Sequence, residues 1–197
     1  MNLPNRLTLM RMVLIPFMMF FYLADFIPYG IGKLIALGIF LIAALTDLLD
    51  GKIARKYNLV TNFGKFMDPI ADKLLTSAML FMLVADHTIP APWGVIVITI
   101  IIAREFMVSG LRLLAANRGI VMAADMWGKV KTCVQMVAIP VCVVLSYLNT
   151  CGFNIPNAAT LTIAIISYVG IGLATVLTVI SGINYLVKNK QCLKEEK

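Results

Sequence analysis

Apolar runs long enough to cross a lipid bilayer recur along the whole chain. Crossing the hydrocarbon core takes about 20 helical residues, and each run approaches or exceeds that length. The runs cover residues 7–26, 31–53, 66–85, 95–116, 130–148 and 158–187. Hydrophobic residues make up 60% of the 197 positions, far more than a soluble domain of this size can bury. The sequence predicts one all-α domain, residues 1–197, built as an integral membrane bundle of six transmembrane helices. Short breaks between the runs predict that consecutive helices are antiparallel neighbours.

The distribution of positive charge predicts how the bundle is oriented. Lys and Arg near span ends collect on the cytoplasmic side of a membrane. One side would receive Arg6, the basic stretch 52–65 and the lysines after residue 187, whereas the opposite loops offer only Lys33. We therefore expect both termini to be cytoplasmic. The net charge of +7 is dispersed over helix ends, so it favours anionic membrane lipid and no nucleic acid as a partner.

Four aspartates interrupt the second and third apolar runs. Asp47 and Asp50 are three residues apart and Asp68 and Asp72 are four apart, so each pair projects from one face of its helix. The basic loop between the runs folds the two helices back on each other. Because carboxylates at membrane depth rarely face lipid, we expect all four to converge on one pocket near the cytoplasmic end of the bundle.

Converging carboxylates repel one another in a low dielectric unless cations neutralise them. Ligands that are all oxygen favour Mg²⁺ or Mn²⁺ over Zn²⁺, and the four acids suffice for two ions. Two such ions, about 3.5–4 Å apart, can clamp a phosphoryl group during an in-line displacement. Buried salt bridges or an ion path are the alternatives, but acids gathered at one membrane edge favour an interfacial active site over a transporter.

Small and basic residues accompany the acids. Gly51, Ala54 and Gly64 remove bulk beside the carboxylates, and Arg55 and Lys65 bracket the loop with positive charge. A phosphate-bearing ligand that approaches the backbone would use both features.

A second polar stripe occupies the fourth and fifth runs, where the residues follow helical spacing. The fourth run carries Arg104, Glu105, Ser109 and Arg112, and the start of the fifth, with the residues just before it, carries Gly128, Lys131, Thr132 and Gln135. Guanidinium, ammonium and hydroxyl groups turned toward the bundle interior suit an anionic substrate, specifically a phosphate. An internal Arg–Glu pair or a snorkelling lysine is the alternative for each run.

The aspartate region resembles the CDP-alcohol phosphotransferase family of integral membrane enzymes. The family signature D-x-x-D-G-x-x-A-R-x8-G-x-x-x-D-x-x-x-D is matched at Asp47, Asp50, Gly51, Ala54, Arg55, Gly64, Asp68 and Asp72. The resemblance implies a six-helix bundle, usually a homodimer, that displaces CMP from a CDP-linked donor with an alcohol as nucleophile.

The resemblance also implies roles for the matching residues. Asp47, Asp50 and Asp68 would be the principal ligands of two divalent cations, and Asp72 would complete the metal site and act as the general base. The pocket for the cytidine diphosphate would be shaped by Gly51, Ala54, Arg55 and Gly64.

Three further stretches, residues 2–8, 104–112 and 128–132, look like the bacterial branch of the family that makes phosphatidylglycerophosphate. That branch joins CDP-diacylglycerol to sn-glycerol 3-phosphate, in phospholipid biosynthesis at the bacterial cell membrane, with the active site facing the cytoplasm. The resemblance implies that Arg112, Lys131 and Thr132 hold the acceptor phosphate, that Arg104 positions them, and that Asn5 and Thr8 lie by the nucleotide. A sister enzyme that uses inositol phosphate or serine stays open as an alternative.

Overall fold

The computed structural model describes residues 3–24, 26–56, 62–117, 126–151 and 157–188. Within its helices, the side chains of residues 3, 4, 48–56, 62, 63, 65, 66, 114, 116, 117, 157, 158 and 188 lie outside that description. Four predicted site residues, Asp50, Gly51, Ala54 and Arg55, are among these, so only their place on a helix is known.

Six α-helices and one short 3₁₀ turn make up the described part of the chain, which contains no β-strand. The helices are α1 (Leu3–Tyr22), α2 (Ile31–Lys56), α3 (Asn62–Ala85), α4 (Trp93–Asn117), α5 (Met126–Thr150) and α6 (Asn157–Lys188), and the 3₁₀ turn Pro28–Gly30 precedes α2. The predicted all-α class is therefore confirmed.

The first helix begins earlier and ends earlier than the apolar run from which it was predicted. It includes the polar segment before residue 7, so Asn5 and Thr8 lie on the same helix. Ile27 has an extended backbone, which is the conformation preferred by a residue that precedes proline, and Pro28 opens the 3₁₀ turn. The site residues of the amino terminus are consequently held on a regular element.

Four helical segments are long and apolar enough to cross a membrane, which makes the chain a multi-pass membrane protein. They are Pro28–Asp47, Trp93–Leu113, Met126–Thr150 and Ala159–Val187. Among the residues that the structure describes, α1 and α3 are not apolar enough to be counted as spans. Helix α1 carries Arg6 and Arg11, and α3 carries Asp68, Asp72 and Lys73. Six spans thus stay a prediction, and the shortfall lies in the two helices that bear much of the predicted site.

Helix packing follows chain order with one exception. Helix α1 packs against both α2 and α3, and α2 also contacts α3 and α5. Helices α4 and α5 were expected to be neighbours, but each makes more extensive contact with α6 than with the other. With 32 residues, α6 is long enough to pack against both α4 and α5.

Buried apolar side chains from all six helices form one core, which includes Met18, Phe40, Leu75, Ile139 and Ile171. Large hydrophobic side chains are also exposed on every helix, and these suit contact with lipid. Helix α1 closely approaches α2 at Gly32, where an added Cβ would collide with the carbonyl oxygen of Phe21. That close approach fixes α1 beside the acid-bearing helices.

Candidate active site

Helix α1 links the two helices that carry the acids. Thr8 Oγ1 donates a hydrogen bond of 2.6 Å to Asp68 Oδ1 on α3. The guanidinium of Arg11 donates to Asp47 on α2 and forms an ion pair with it. Thr8 and Arg11 are three residues apart on one face of α1, and both are only 1% exposed. A single buried face of α1 therefore contacts one acid from each neighbouring helix.

The acids of α2 and α3 are close enough to influence one another. The carboxylate of Asp47 interacts electrostatically with both Asp68 and Asp72. Gly64, also predicted to belong to the site, is buried on α3 one turn before Asp68. The structure thus gathers three of the four predicted acids, and the side chain of the fourth, Asp50, lies outside the described residues.

The donor atoms gathered here suit a hard divalent cation. Asp47, Asp68 and Asp72 offer carboxylate oxygens, and Thr8 adds a hydroxyl beside Asp68. Among the described side chains, no three acidic, His or Cys groups lie close enough to share one ion. Asp47 is held by Arg11 instead, so a buried positive charge already offsets part of the acidic cluster. The chemistry of this donor set fits Mg²⁺ or Mn²⁺.

A chain of alternating charges connects Asp72 with the buried lysine of α5. Lys73 Nζ lies 2.7 Å from Asp72 Oδ2 and 4.0 Å from Glu105 Oε2. On the other side of Glu105, Lys131 Nζ donates a hydrogen bond to Oε1. Glu105 is 7% exposed and Lys131 is 0% exposed, so this pair is removed from solvent. Helices α3, α4 and α5 are joined through this chain, in which the buried charges of Glu105 and Lys131 neutralise each other.

Arg104 lies beside this chain, in a space left by two glycines. A Cβ added to Gly128 on α5 would stand 3.3 Å from Arg104 Nη2, and one added to Gly182 on α6 would stand 3.1 Å from Arg104 Cγ. The charge of Arg104 also acts on Lys131. The two predicted phosphate-binding cations Arg104 and Lys131 are therefore brought together.

The other two predicted acceptor residues make different contacts. The Arg112 guanidinium lies 5.6 Å from the centre of the Tyr185 ring on α6, in cation–π geometry. Thr132 Oγ1 donates a hydrogen bond of 2.9 Å to the carbonyl of Gly128 in its own helix. Both residues are exposed. None of their contacts within the described part of the chain joins them to Lys131.

Arg11, Lys73 and Glu105 were not among the predicted site residues, although each now has a place in the site. Signals for them exist: Arg11 follows Thr8 by three residues, and Lys73 and Glu105 are next to predicted site residues. The alternatives kept for these helices were an Arg–Glu pair and a snorkelling lysine, whereas the pair observed joins Glu105 to Lys131. The partner of Lys131 could not be identified in advance, because helical spacing does not say which helices will face each other.

A second polar cluster occupies the opposite end of the same helices. Tyr22 OH donates to Asp86 Oδ2 at 2.6 Å. Lys33 Nζ lies 3.1 Å from the same carboxylate and donates to Ser146 Oγ at 2.6 Å and to Thr150 Oγ1 at 2.9 Å. We call Tyr22, Lys33, Asp86, Ser146 and Thr150 the Lys33 cluster.

The carboxyl of Asp86 in this cluster has a lowered pKa. Burial acts to raise it, but hydrogen bonds from Ser146, Tyr22 and the backbone N–H of Thr88 outweigh burial. Asp86 lies in the loop after α3, and the bonds favour its ionised form, which pairs with Lys33. The Lys33 cluster therefore ties α1, α2 and α5 to that loop.

Comparison with known proteins finds relatives that align along nearly the whole chain. The family model described as CDP-alcohol phosphatidyltransferase matches residues 1–180. A Bacillus subtilis protein named CDP-diacylglycerol–glycerol-3-phosphate 3-phosphatidyltransferase is 44% identical over 204 residues, which cover 98% of this chain and 97% of that protein. The protein of the same name from Rickettsia felis is 37% identical over 194 residues, covering 98% and 96%, and that from Haemophilus influenzae is 42% identical over 141 residues, covering 70% and 73%. This chain belongs to the CDP-alcohol phosphatidyltransferase family.

Proposed function

We propose that this chain transfers the phosphatidyl group of CDP-diacylglycerol to sn-glycerol 3-phosphate and releases CMP, giving phosphatidylglycerophosphate. The observation that carries the proposal is the run of contacts from Asp72 through Lys73 and Glu105 to Lys131. It joins a cluster of acids to a buried cation in one half of the bundle. Relatives that align along nearly the whole chain are named for this transfer.

We assign the acids Asp47, Asp50, Asp68 and Asp72 to two divalent cations, Mg²⁺ or Mn²⁺. When bound, such ions withdraw charge from the diphosphate of the donor and favour departure of CMP. The oxygen donors already described support this assignment, and Asp50 sits on α2 one turn after Asp47.

The nucleotide is assigned to the region where α1 meets α2 and α3. Asn5 and Thr8 are buried on α1, and Gly64 is buried on α3. Gly51, Ala54 and Arg55 lie on the last turns of α2, on the side of the loop that leads to α3. Small residues and a cation there would admit a cytidine diphosphate against the helix backbone.

Asp72 is the group that we assign to activate the acceptor. Its carboxylate would take the proton from the primary hydroxyl of glycerol 3-phosphate. The hydroxyl oxygen would then form a bond to the phosphorus that carries the diacylglycerol. The bond from that phosphorus to the bridging oxygen would break, and CMP would leave with this oxygen. Lys73, at 2.7 Å, would keep the Asp72 carboxylate oriented during the exchange.

The acceptor phosphate is assigned to Lys131, Arg112 and Thr132, with Arg104 positioning them. Lys131 is already oriented by Glu105, and Arg104 is close to it in the slot between Gly128 and Gly182. A phosphate dianion bound here would be attracted by three cations, Lys73 on α3, Arg104 on α4 and Lys131 on α5.

The same proposal covers how the protein sits in the cell membrane. A single domain with six spans would place both termini, and the active site, on the cytoplasmic face of a bacterial cell membrane, and two copies would form a homodimer. Acyl chains of the donor would remain among the exposed apolar side chains while its nucleotide meets the aspartates. The concentration of Lys and Arg near the aspartate half supports this orientation.

The test is CMP release by the purified protein in detergent with CDP-diacylglycerol and Mg²⁺, using one acceptor at a time. Glycerol 3-phosphate, inositol 1-phosphate, serine and no acceptor form the panel. We expect release only with glycerol 3-phosphate and its loss on chelation with EDTA. Release with another acceptor alone would overturn the acceptor assignment, and no release with any acceptor would contradict the proposed activity and favour ion transport.

A further inference from the structure

Gln135 on α5 is a buried amide whose polar atoms are unmatched. The residue is 2% exposed, and neither Oε1 nor Nε2 has a hydrogen-bond partner among the residues that the structure describes. Buried side-chain amides are nearly always hydrogen-bonded, because leaving them without a partner is costly. An amide that stays unmatched inside the bundle points to a ligand that supplies the missing bonds.

The position of Gln135 relates it to the acceptor. It follows Lys131 by one helical turn, about 6 Å along the axis, on the same buried face of α5. The next residues on that face, Ala138 and Ile139, are apolar and belong to the core. Gln135 is therefore the last polar side chain of this face before the core begins, and it adjoins the cation that is assigned to the acceptor phosphate.

The secondary hydroxyl of the acceptor has no protein partner among the residues assigned above. In glycerol 3-phosphate the phosphate is assigned to Lys131 and the primary hydroxyl to Asp72, and the secondary hydroxyl lies on the carbon between them. A hydroxyl both donates and accepts a hydrogen bond, and so does a carboxamide. Gln135 is the buried polar side chain one turn from Lys131 on α5, so an acceptor whose phosphate is held by Lys131 would bring its secondary hydroxyl near this amide.

We infer that Gln135 is a specificity-determining residue that hydrogen-bonds the secondary hydroxyl of the acceptor. The inference rests on the proposed function and adds to it the group by which the enzyme tells glycerol 3-phosphate from simpler phosphorylated alcohols. Binding of that hydroxyl would supply a hydrogen bond to a side chain that the described residues leave unmatched.

The test uses 3-hydroxypropyl phosphate, which retains the phosphate and the primary hydroxyl but lacks the secondary hydroxyl. The wild-type enzyme should prefer glycerol 3-phosphate in kcat/KM by about 10- to 100-fold. Gln135→Met keeps the length of the side chain and removes its polar atoms. In this variant the preference should fall to within about threefold, through a higher KM for glycerol 3-phosphate and little change for the analogue.

Ile139→Leu is the matched control, because it alters packing one turn further along the same face without touching a polar group. It should keep the wild-type preference. Gln135→Ala is the second variant and should show the same loss of preference as Gln135→Met. A wild-type enzyme that uses both acceptors equally, or Gln135 variants that keep the full preference, would overturn the inference. Absence of CMP release by the wild type with glycerol 3-phosphate would instead contradict the proposed function.

Discussion

Two polar regions lie in the same helices, and they are organised in opposite ways. Lys33 and Asp47 both lie on α2, 14 residues apart, which corresponds to about 21 Å along the helix. In the Lys33 cluster one carboxylate receives hydrogen bonds from Tyr22, Lys33 and Ser146. Around Asp47 several carboxylates influence one another, and the buried amide of Gln135 lacks partners among the described residues. Satisfied polar groups stabilise a fold, whereas crowded acids and an unmatched amide indicate a place for ligands.

The difference predicts which substitutions stop catalysis and which ones only weaken the fold. Substitutions in the aspartate half, the part of the bundle around Asp47, Asp68 and Asp72, should mainly lower activity. Substitutions in the Lys33 cluster should mainly lower stability. The pair between Glu105 and Lys131 should respond in both, because it is buried and also orients the proposed phosphate-binding cation.

The largest expected effect is on catalysis by Asp72. Asp72→Asn keeps the shape of the side chain and removes its ability to take a proton, so CMP release should fall by at least about 10³-fold. The melting temperature in detergent should change little, since a negative charge leaves a crowded acidic cluster. Lys33→Met is the control, because Lys33 lies far from the site around Asp72, and it should retain activity per folded molecule. Near-normal turnover by Asp72→Asn would refute its role as base.

Breaking the buried pair of α4 and α5 should affect stability and acceptor binding together. Glu105→Gln leaves Lys131 buried beside a neutral partner, which should destabilise the protein by about 3–5 kcal/mol and raise the KM for glycerol 3-phosphate. The double variant Glu105→Gln with Lys131→Met should regain much of the stability without regaining activity. If the double variant regains both the stability and the activity that Glu105→Gln loses, the pair is structural only. Denaturant titration and initial rates provide the two readouts.

Removing the lysine of the Lys33 cluster should weaken the fold without touching the chemistry. Lys33→Met leaves Asp86 and Ser146 each short of a donor, with a stability loss of about 1–3 kcal/mol. The KM for both substrates should stay as in the wild type. A changed KM at unchanged stability would show that the two regions are coupled and that the contrast between them is false.

The smallest expected effect is a pH dependence of stability that comes from Asp86. Its pKa in the folded protein lies below the ordinary value of about 3.9. The stabilisation by its ionised form is therefore fully present above about pH 4 and is lost as the pH falls through the folded-state pKa. Between neutral pH and pH 3, the melting temperature of the wild type should drop further than that of Asp86→Asn. Parallel curves for the two proteins would contradict the assignment.

Local sequence pattern predicted much of this architecture but not its long-range contacts. Apolar runs were enough to predict six helices, and residue spacing was enough to place each pair of acids within one helix, because those features depend on residues close in sequence. The contact of Tyr22 with Ser146 spans 124 positions, and the placement of α6 between α4 and α5 likewise depends on how whole helices pack. Arg11 was assigned no role for the same reason: its partner Asp47 lies on another helix.

The most direct test of the central claim is to measure Mn²⁺ binding by electron paramagnetic resonance in the purified protein, with and without CDP-diacylglycerol. The account predicts two bound Mn²⁺ ions per chain in the presence of the donor, and their loss in Asp68→Asn while Lys33→Met still binds them. If the wild type binds no more Mn²⁺ than Asp68→Asn, the aspartate half is not a divalent-metal centre.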